Sequence, residues 1–174
     1  SPIGDLPYAL YMQWGAEDGH KGLSPFGDFL RQVGAETWGG IAGTEWTHRT
    51  HFELSQTNCS QGGIGGSGAD WNCAYNHSIY RTGYRYQGRV MGNGIDNDGL
   101  SYSLGSTLSG TGNGSWQVLL RHVDLNRGGA ADPAHSLSAG PNQLNELAVS
   151  HEREAFGGRL SVGMGFSRLD APLN

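Results

Sequence analysis

The 174-residue, 18.6 kDa chain is long enough for one domain, and its mean hydropathy of -0.46 with 36% hydrophobic residues excludes a helical membrane protein. A formal net charge of -5 leaves no basic stripe to offset phosphate, which excludes a nucleic-acid partner. The 30 glycines without collagen period point to many turns, and among the 11 basic residues only Lys21 is a lysine, a bias that suits an enclosed polar surface.

Eight strands are expected in chain order. Over residues 8–14, Tyr8, Leu10, Met12 and Trp14 alternate with Ala9, Tyr11 and Gln13. The alternation weakens over 33–39, where Glu36 stands among small residues and Trp38. Over 46–54, Trp46, His48, Thr50, Phe52 and Leu54 share one face, opposite Thr47, Arg49, His51 and Glu53. A fourth strand is expected over 79–91. There Tyr80, Tyr84, Tyr86 and Val90 oppose Arg81, Arg85 and Arg89, which sets an uncharged aromatic face against a cationic one. Residues 100–108 give the cleanest pattern, with Leu100, Tyr102, Leu104 and Leu108 against serine, glycine and threonine. Residues 116–125 follow, then 144–153, where Leu147 and Val149 share parity with His151 and Arg153. Last, over 160–166, Leu160, Val162, Met164 and Phe166 oppose Ser161, Gly163 and Gly165.

No stretch makes a convincing helix beyond a short turn near Pro25, and connections such as 109–115 are too short for a parallel crossover. An all-β, antiparallel up-and-down meander is therefore expected. By itself the alternation supports either a sandwich or a barrel. A spanning barrel turns an aromatic, uncharged face to lipid and its charges to the lumen, and alternates short turns with long loops. With eight strands, four connections obey that alternation, whereas 111–114 and 126–142 break it. Cys59 and Cys73 flank a glycine- and serine-rich loop; a disulfide is expected there, worth on the order of 3 kcal/mol, and with it an oxidising compartment.

The run YNHSIYRTGYRYQGRVMGNGIDNDG with Tyr102-Ser103-Leu104-Gly105, the opening YALYMQWGAEDGHKG, the AETWG segment, the two-cysteine loop and Leu125-Asn126-Arg127 resemble the Wzi capsule assembly proteins of Gram-negative outer membranes. The resemblance covers most of residues 8–168. It implies a large outer-membrane β-barrel of lectin type, of about eighteen strands, that holds capsular polysaccharide at the cell surface without catalysis. Residues 1–174 are then one β-barrel segment, an incomplete barrel corresponding to a C-terminal-half fragment. Capsular polysaccharide and outer-membrane lipid are the partners implied, with no cofactor.

On that expectation the loop before the fourth strand supplies the candidates for saccharide contact: Asp70, Trp71, Tyr75, Asn76 and His77. Aromatic faces meet sugar C–H patches, while carboxylate and amide groups bond hydroxyls. The alternative is a disulfide-ordered loop with Trp71 packed inward. Arg81, Arg85 and Arg89, facing Glu36 and Glu53 across a lumen, are read as a self-neutralising charge network rather than an acidic-sugar site. Asp96-Asn97-Asp98-Gly99 lacks the EF-hand glutamate and reads as a polar hairpin turn, and the seven histidines have no metal-ligand spacing. His77 and Ser78 point to opposite faces of a strand and make no dyad, and Glu17 and Asp18 read as solvated loop carboxylates. The competing functions are a diffusion-porin fragment or a membrane-embedded lipid or glycan hydrolase.

Overall fold

The computed structural model describes residues 7–15, 30–60, 69–77, 79–80, 83–112, 114–130 and 135–170. Its strands are β1 (Tyr8–Gly15), β2 (Leu30–Gly40), β3 (Trp46–Gln56), β4 (Cys59–Ser60), β5 (Ala69–Asp70), β6 (Arg85–Tyr86), β7 (Arg89–Val90), β8 (Leu100–Gly110), β9 (Gly114–Leu125), β10 (Asn142–Ala155) and β11 (Gly158–Asp170). Seven of them form one antiparallel sheet in the order β1-β2-β3-β8-β9-β10-β11, so each long strand pairs with the next long strand. The outermost strands, β1 and β11, do not pair with each other, and the sheet is not closed by these strands.

The strand expected over 79–91 is corrected. Its described residues hold only the two-residue ladder β6–β7. Gly83, Gln87 and Gly88 have φ of 57°, 50° and 78°, and no extended strand passes through three left-handed residues. Gln87 and Gly88 are the central pair of a two-residue hairpin turn, for which successive positive φ values match the twist of the flanking strands. Without this strand the connections fall into phase. The long connections, of residues 16–29, 57–99 and 126–141, join strand ends on one side of the sheet; the short ones, 41–45, 111–113 and 156–157, join strand ends on the other. This is the alternation of a spanning barrel with no exceptions.

Period-2 alternation fixes the two faces. The register aligns Phe52, Leu104, Leu120, Leu147 and Phe166 in one row across five strands. Val118, Val149 and Met164 follow in the next row, and Leu10, Met12 and Val33 extend the same face onto β1 and β2. Tyr102 with His122 borders this apolar belt at the long-loop end, and Trp116 stacked on His151 (ring centroids 4.3 Å apart) borders it at the short-turn end. That explains the mixed parity of 144–153: His151 belongs to the rim below the belt.

The opposite face is small, polar and charge-paired. Arg49 meets Glu36 at 2.8 Å, Arg121 meets Glu146 at 2.6 Å, and Arg159 meets Glu152 at 3.4 Å. Tyr11 crosses β2 to donate a hydrogen bond to Glu53 at 3.0 Å. It can do so because position 34 has no side chain: a Cβ there would lie 2.2 Å from the Tyr11 ring.

Candidate functional site

At the long-loop end the described residues of the 57–99 excursion and of the 126–141 connection fold together into a cap. Its hydrophobic contact with the sheet is small: Ile95 packs on Val123, Leu125 and Leu144, at the mouth of the polar face. Apart from the small Ala74, its other fully buried side chains are polar. Thr57, Asn58, Asp96, Asn97, Asp98, Asn126 and His135 are all buried, so hydrogen bonds must replace the water each has lost.

Asp96 is the centre of that network. The Arg85 guanidinium donates to both carboxylate oxygens, at 2.6 and 3.0 Å, in the bidentate geometry that suits arginine. The Ser136 amide and hydroxyl donate to the same carboxylate at 2.8 and 2.5 Å, and the Asn97 amide at 2.8 Å. One carboxylate thus ties the hairpin, the 93–99 loop and the 126–141 connection. Burial would raise its pKa, but Arg85, Ser136 and Asn97 outweigh that and hold it well below the usual carboxylate range. The neighbouring Asp98 has no such guanidinium bond. Burial raises its pKa against the Asn72 amide, which donates at 2.8 Å, and the charge of Arg127. His135 accepts at Nδ1 from the Leu137 and Ser138 amides, and burial lowers its pKa below the ordinary 6.5.

Asp96-Asn97-Asp98-Gly99 is therefore no exposed hairpin turn but the inside of the cap. Asn126 serves the second long connection in the same way: its amide nitrogen donates to the Ala130 and Ser138 carbonyls, and its oxygen accepts from the Ala130 amide. Cys59 and Cys73 are joined in a disulfide at the base of the excursion, with Cα atoms 6.0 Å apart.

The residues expected to touch sugar lie in this cap. Asp70 sits in β5, paired through its backbone with Cys59. Trp71 is 44% exposed and carries the Arg127 guanidinium 5.3 Å from its ring centroid, a cation–π contact rather than inward packing. Tyr75 is half-buried and its hydroxyl accepts from the Asn93 amide at 2.9 Å. Asn76 bonds Asn72 at 2.7 Å and Arg85 at 3.1 Å. His77 caps the Ile79 and Tyr80 amides through Nδ1 and lies against the Tyr80 ring. Of the four whose side chains are described, Trp71 is the most exposed and the other three brace the loop.

The expected lumen network is only partly assembled. Glu36 and Glu53 do face the polar side of the sheet, but their partners are Arg49 and Tyr11. Arg85 is in the cap on Asp96, Arg89 is exposed in β7, and Arg81 lies outside the described residues, as does Ser78. The structure adds Asp96, Asp98, Arg127 and His135 as cap residues and moves Tyr80, Tyr84 and Tyr86 from the lipid-facing belt to the cap. The signals for that move were the dipeptides Thr82-Gly83 and Gln87-Gly88. Among the described residues, no group of three or more His, Cys, Asp or Glu side chains is placed to hold a metal ion.

An antiparallel meander with an apolar belt on one face, paired charges on the other and a folded cap at one end defines a segment of a membrane-spanning β-barrel. The family model for the capsule assembly protein Wzi matches residues 2–174, and the chain belongs to that family. It is also similar to the solved structure of Wzi, described as an outer membrane protein involved in group 1 capsule assembly in Escherichia coli and a carbohydrate-binding β-barrel. The TM-score is 0.76 at 19% identity, over 95% of this chain and 35% of that one. The chain thus spans about a third of that protein's length. No curated protein sequence matches it significantly.

Proposed function

We propose that this chain forms part of an outer-membrane barrel that binds capsular polysaccharide and attaches it to the cell surface without catalysis. Membership of the capsule assembly family supports this reading, as does the apolar belt that sets the strands in lipid. The observation that carries it is the cap: an ordered, hydrogen-bonded structure at the long-loop end that holds the exposed Trp71 next to Arg127. A polymer repeats its recognition unit, so weak contacts at each cap add up through chain length and repeated engagement. Asp70, Trp71, Tyr75, Asn76 and His77 are the loop residues assigned to that contact, Trp71 as the stacking surface and the others as its polar surround.

The test is capsule retention in the source bacterium. Deleting the gene releases polymer into the medium while total polymer is unchanged, and Trp71→Ser in the intact protein gives a partial release. Retention of the capsule after deletion refutes attachment, and polymer shortened or de-esterified by the purified protein refutes the non-catalytic reading.

A further inference from the structure

The cap carries an apolar surface that its own folding does not explain. Within 79–91, Ile79, Tyr80, Tyr84, Tyr86 and Met91 are all exposed, Tyr80 at 71%, Tyr84 at 60% and Tyr86 at 67%. Exposed aromatics gathered in one short segment mark an interaction surface. They are not an extension of the lipid-facing belt, because residues 79–91 lie outside the seven-stranded sheet, in the excursion at its long-loop end.

The local geometry presents these rings deliberately. Arg85 and Tyr86 form β6, and the bond from the Met91 amide to the Tyr84 carbonyl carries the hairpin back to Tyr84, so the side chains on either side of Arg85 turn away from it. The Arg85 side chain is 7% exposed because it reaches inward to Asp96, and this turns both tyrosines outward. The backbone that carries them is fixed: the Tyr84 amide donates to the Tyr75 carbonyl at 2.9 Å and the Met91 amide to the Tyr84 carbonyl at 3.0 Å. Tyr80 is held by His77, whose ring lies 4.8 Å from its own. Rings fixed before a ligand arrives lose little conformational freedom on binding it.

We infer that the outward edge of the β6–β7 hairpin, Tyr84 and Tyr86 with Tyr80 beside them, is a stacking platform for pyranose rings of the bound polysaccharide. The inference rests on the proposed function and names the chemistry of its contact. Sugars whose axial hydrogens gather on one ring face, as in gluco- and galacto-configured units, lay that face on an aromatic ring while their hydroxyls stay wet. Tyrosine suits this use because its ring is apolar and its hydroxyl bonds water or sugar. The lipid-facing belt is instead built of leucine, valine, methionine and phenylalanine. Tyr84 and Tyr86 are about 6.7 Å apart along an extended chain, enough to reach neighbouring sugar units of one polymer.

The experiment measures binding of purified capsular polysaccharide from the source strain to the intact protein in detergent micelles. Tyr84→Ser/Tyr86→Ser weakens binding by at least about tenfold, two ring contacts being lost together, and Tyr84→Phe/Tyr86→Phe retains it to within about threefold. Melting temperature stays at the wild-type value in both, since neither side chain packs inward; the single serine variants show the same trend at smaller size. Binding of the serine pair within about threefold of wild type overturns the platform. If Trp71→Ser abolishes binding in that case, the proposed function stands and only the platform falls. If the wild-type protein does not bind the polymer, both fall. Loss of binding to vesicles of outer-membrane lipid, with polymer binding intact, identifies the tyrosines as a headgroup anchor and also overturns the platform.

Discussion

Replacing Asp96 by alanine removes the acceptor for Arg85, for the amide and hydroxyl of Ser136 and for the amide of Asn97. Arg85 is then a buried cation with no counter-charge from Asp96, a change that costs about 3–5 kcal/mol. With a factor of ten for every 1.4 kcal/mol, the open population of the cap rises by roughly two to three and a half orders of magnitude. The sheet is unaffected, because its ladders involve none of these groups. Trypsin reports the difference. Cleavage after Arg127, whose amide donates to the Asp98 carbonyl within the cap, follows the open population when closing is fast. The expected outcome is faster cleavage at Arg127 in the micelle-bound intact protein, with amide protection of the long strands unchanged. Asp96→Asn keeps the shape without the charge and falls between the two. Adding Arg85→Ala to Asp96→Ala slows cleavage again, because the cap then buries no guanidinium that has lost the Asp96 carboxylate. A cleavage rate for Asp96→Ala within about threefold of wild type refutes the claim that this pair holds the cap.

Two further outcomes follow from single residues. His135 is buried with its pKa below 6.5, so as pH falls through 6.5 the open cap takes up a proton that the closed cap refuses. Closure weakens by up to about 1.4 kcal/mol per pH unit until the lowered value is passed, and protease sensitivity measured against pH loses this step in His135→Gln. Asp98 acts with the opposite sign and lower in pH: its raised pKa makes the closed cap bind a proton first, so acidification through that range favours closure. In the sheet, Gly34→Val drives the Tyr11 ring off Glu53 and costs about 1–3 kcal/mol, seen as a lower unfolding temperature on heat-modified gels. Adding Tyr11→Ala restores it; if Gly34→Val alone leaves the unfolding temperature unchanged, the close approach is not a constraint.

Most of the seven long strands were legible because their apolar residues recur at period 2 with one face committed to lipid; Leu100–Gly110 and Gly158–Asp170 are the clearest, and Leu30–Gly40, with Val33 and Trp38 on opposite faces, the weakest. Residues 79–91 obeyed the same period for a different reason. The tyrosines alternate with arginines because one set is displayed and Arg85 is sunk, and Gln87-Gly88 closes the turn that an unbroken strand forbids. That single misreading also shifted the phase of every later connection. The candidate loop lies in the cap, whose interior was not legible. Asp96 meets Arg85 eleven residues away and Ser136 forty residues away, and neither separation follows any local period. In the lumen the acidic residues Glu36 and Glu53 were identifiable, whereas their partners depend on the register between β1, β2 and β3.

The interior of the cap is mostly asparagine, aspartate, threonine, serine and histidine, with Ala74 and, in the cluster at the barrel mouth, Ile95 as its buried apolar residues. Most of its large apolar side chains, Ile79, Tyr80, Tyr84, Tyr86 and Met91 among them, stand on its outside instead. The cap is thus built inside out relative to a small soluble domain: polar groups hold it shut and apolar ones face outward. Cohesion in such a unit comes from directional bonds more than from area hidden from water, so it tolerates changes on its outer surface and not in its interior.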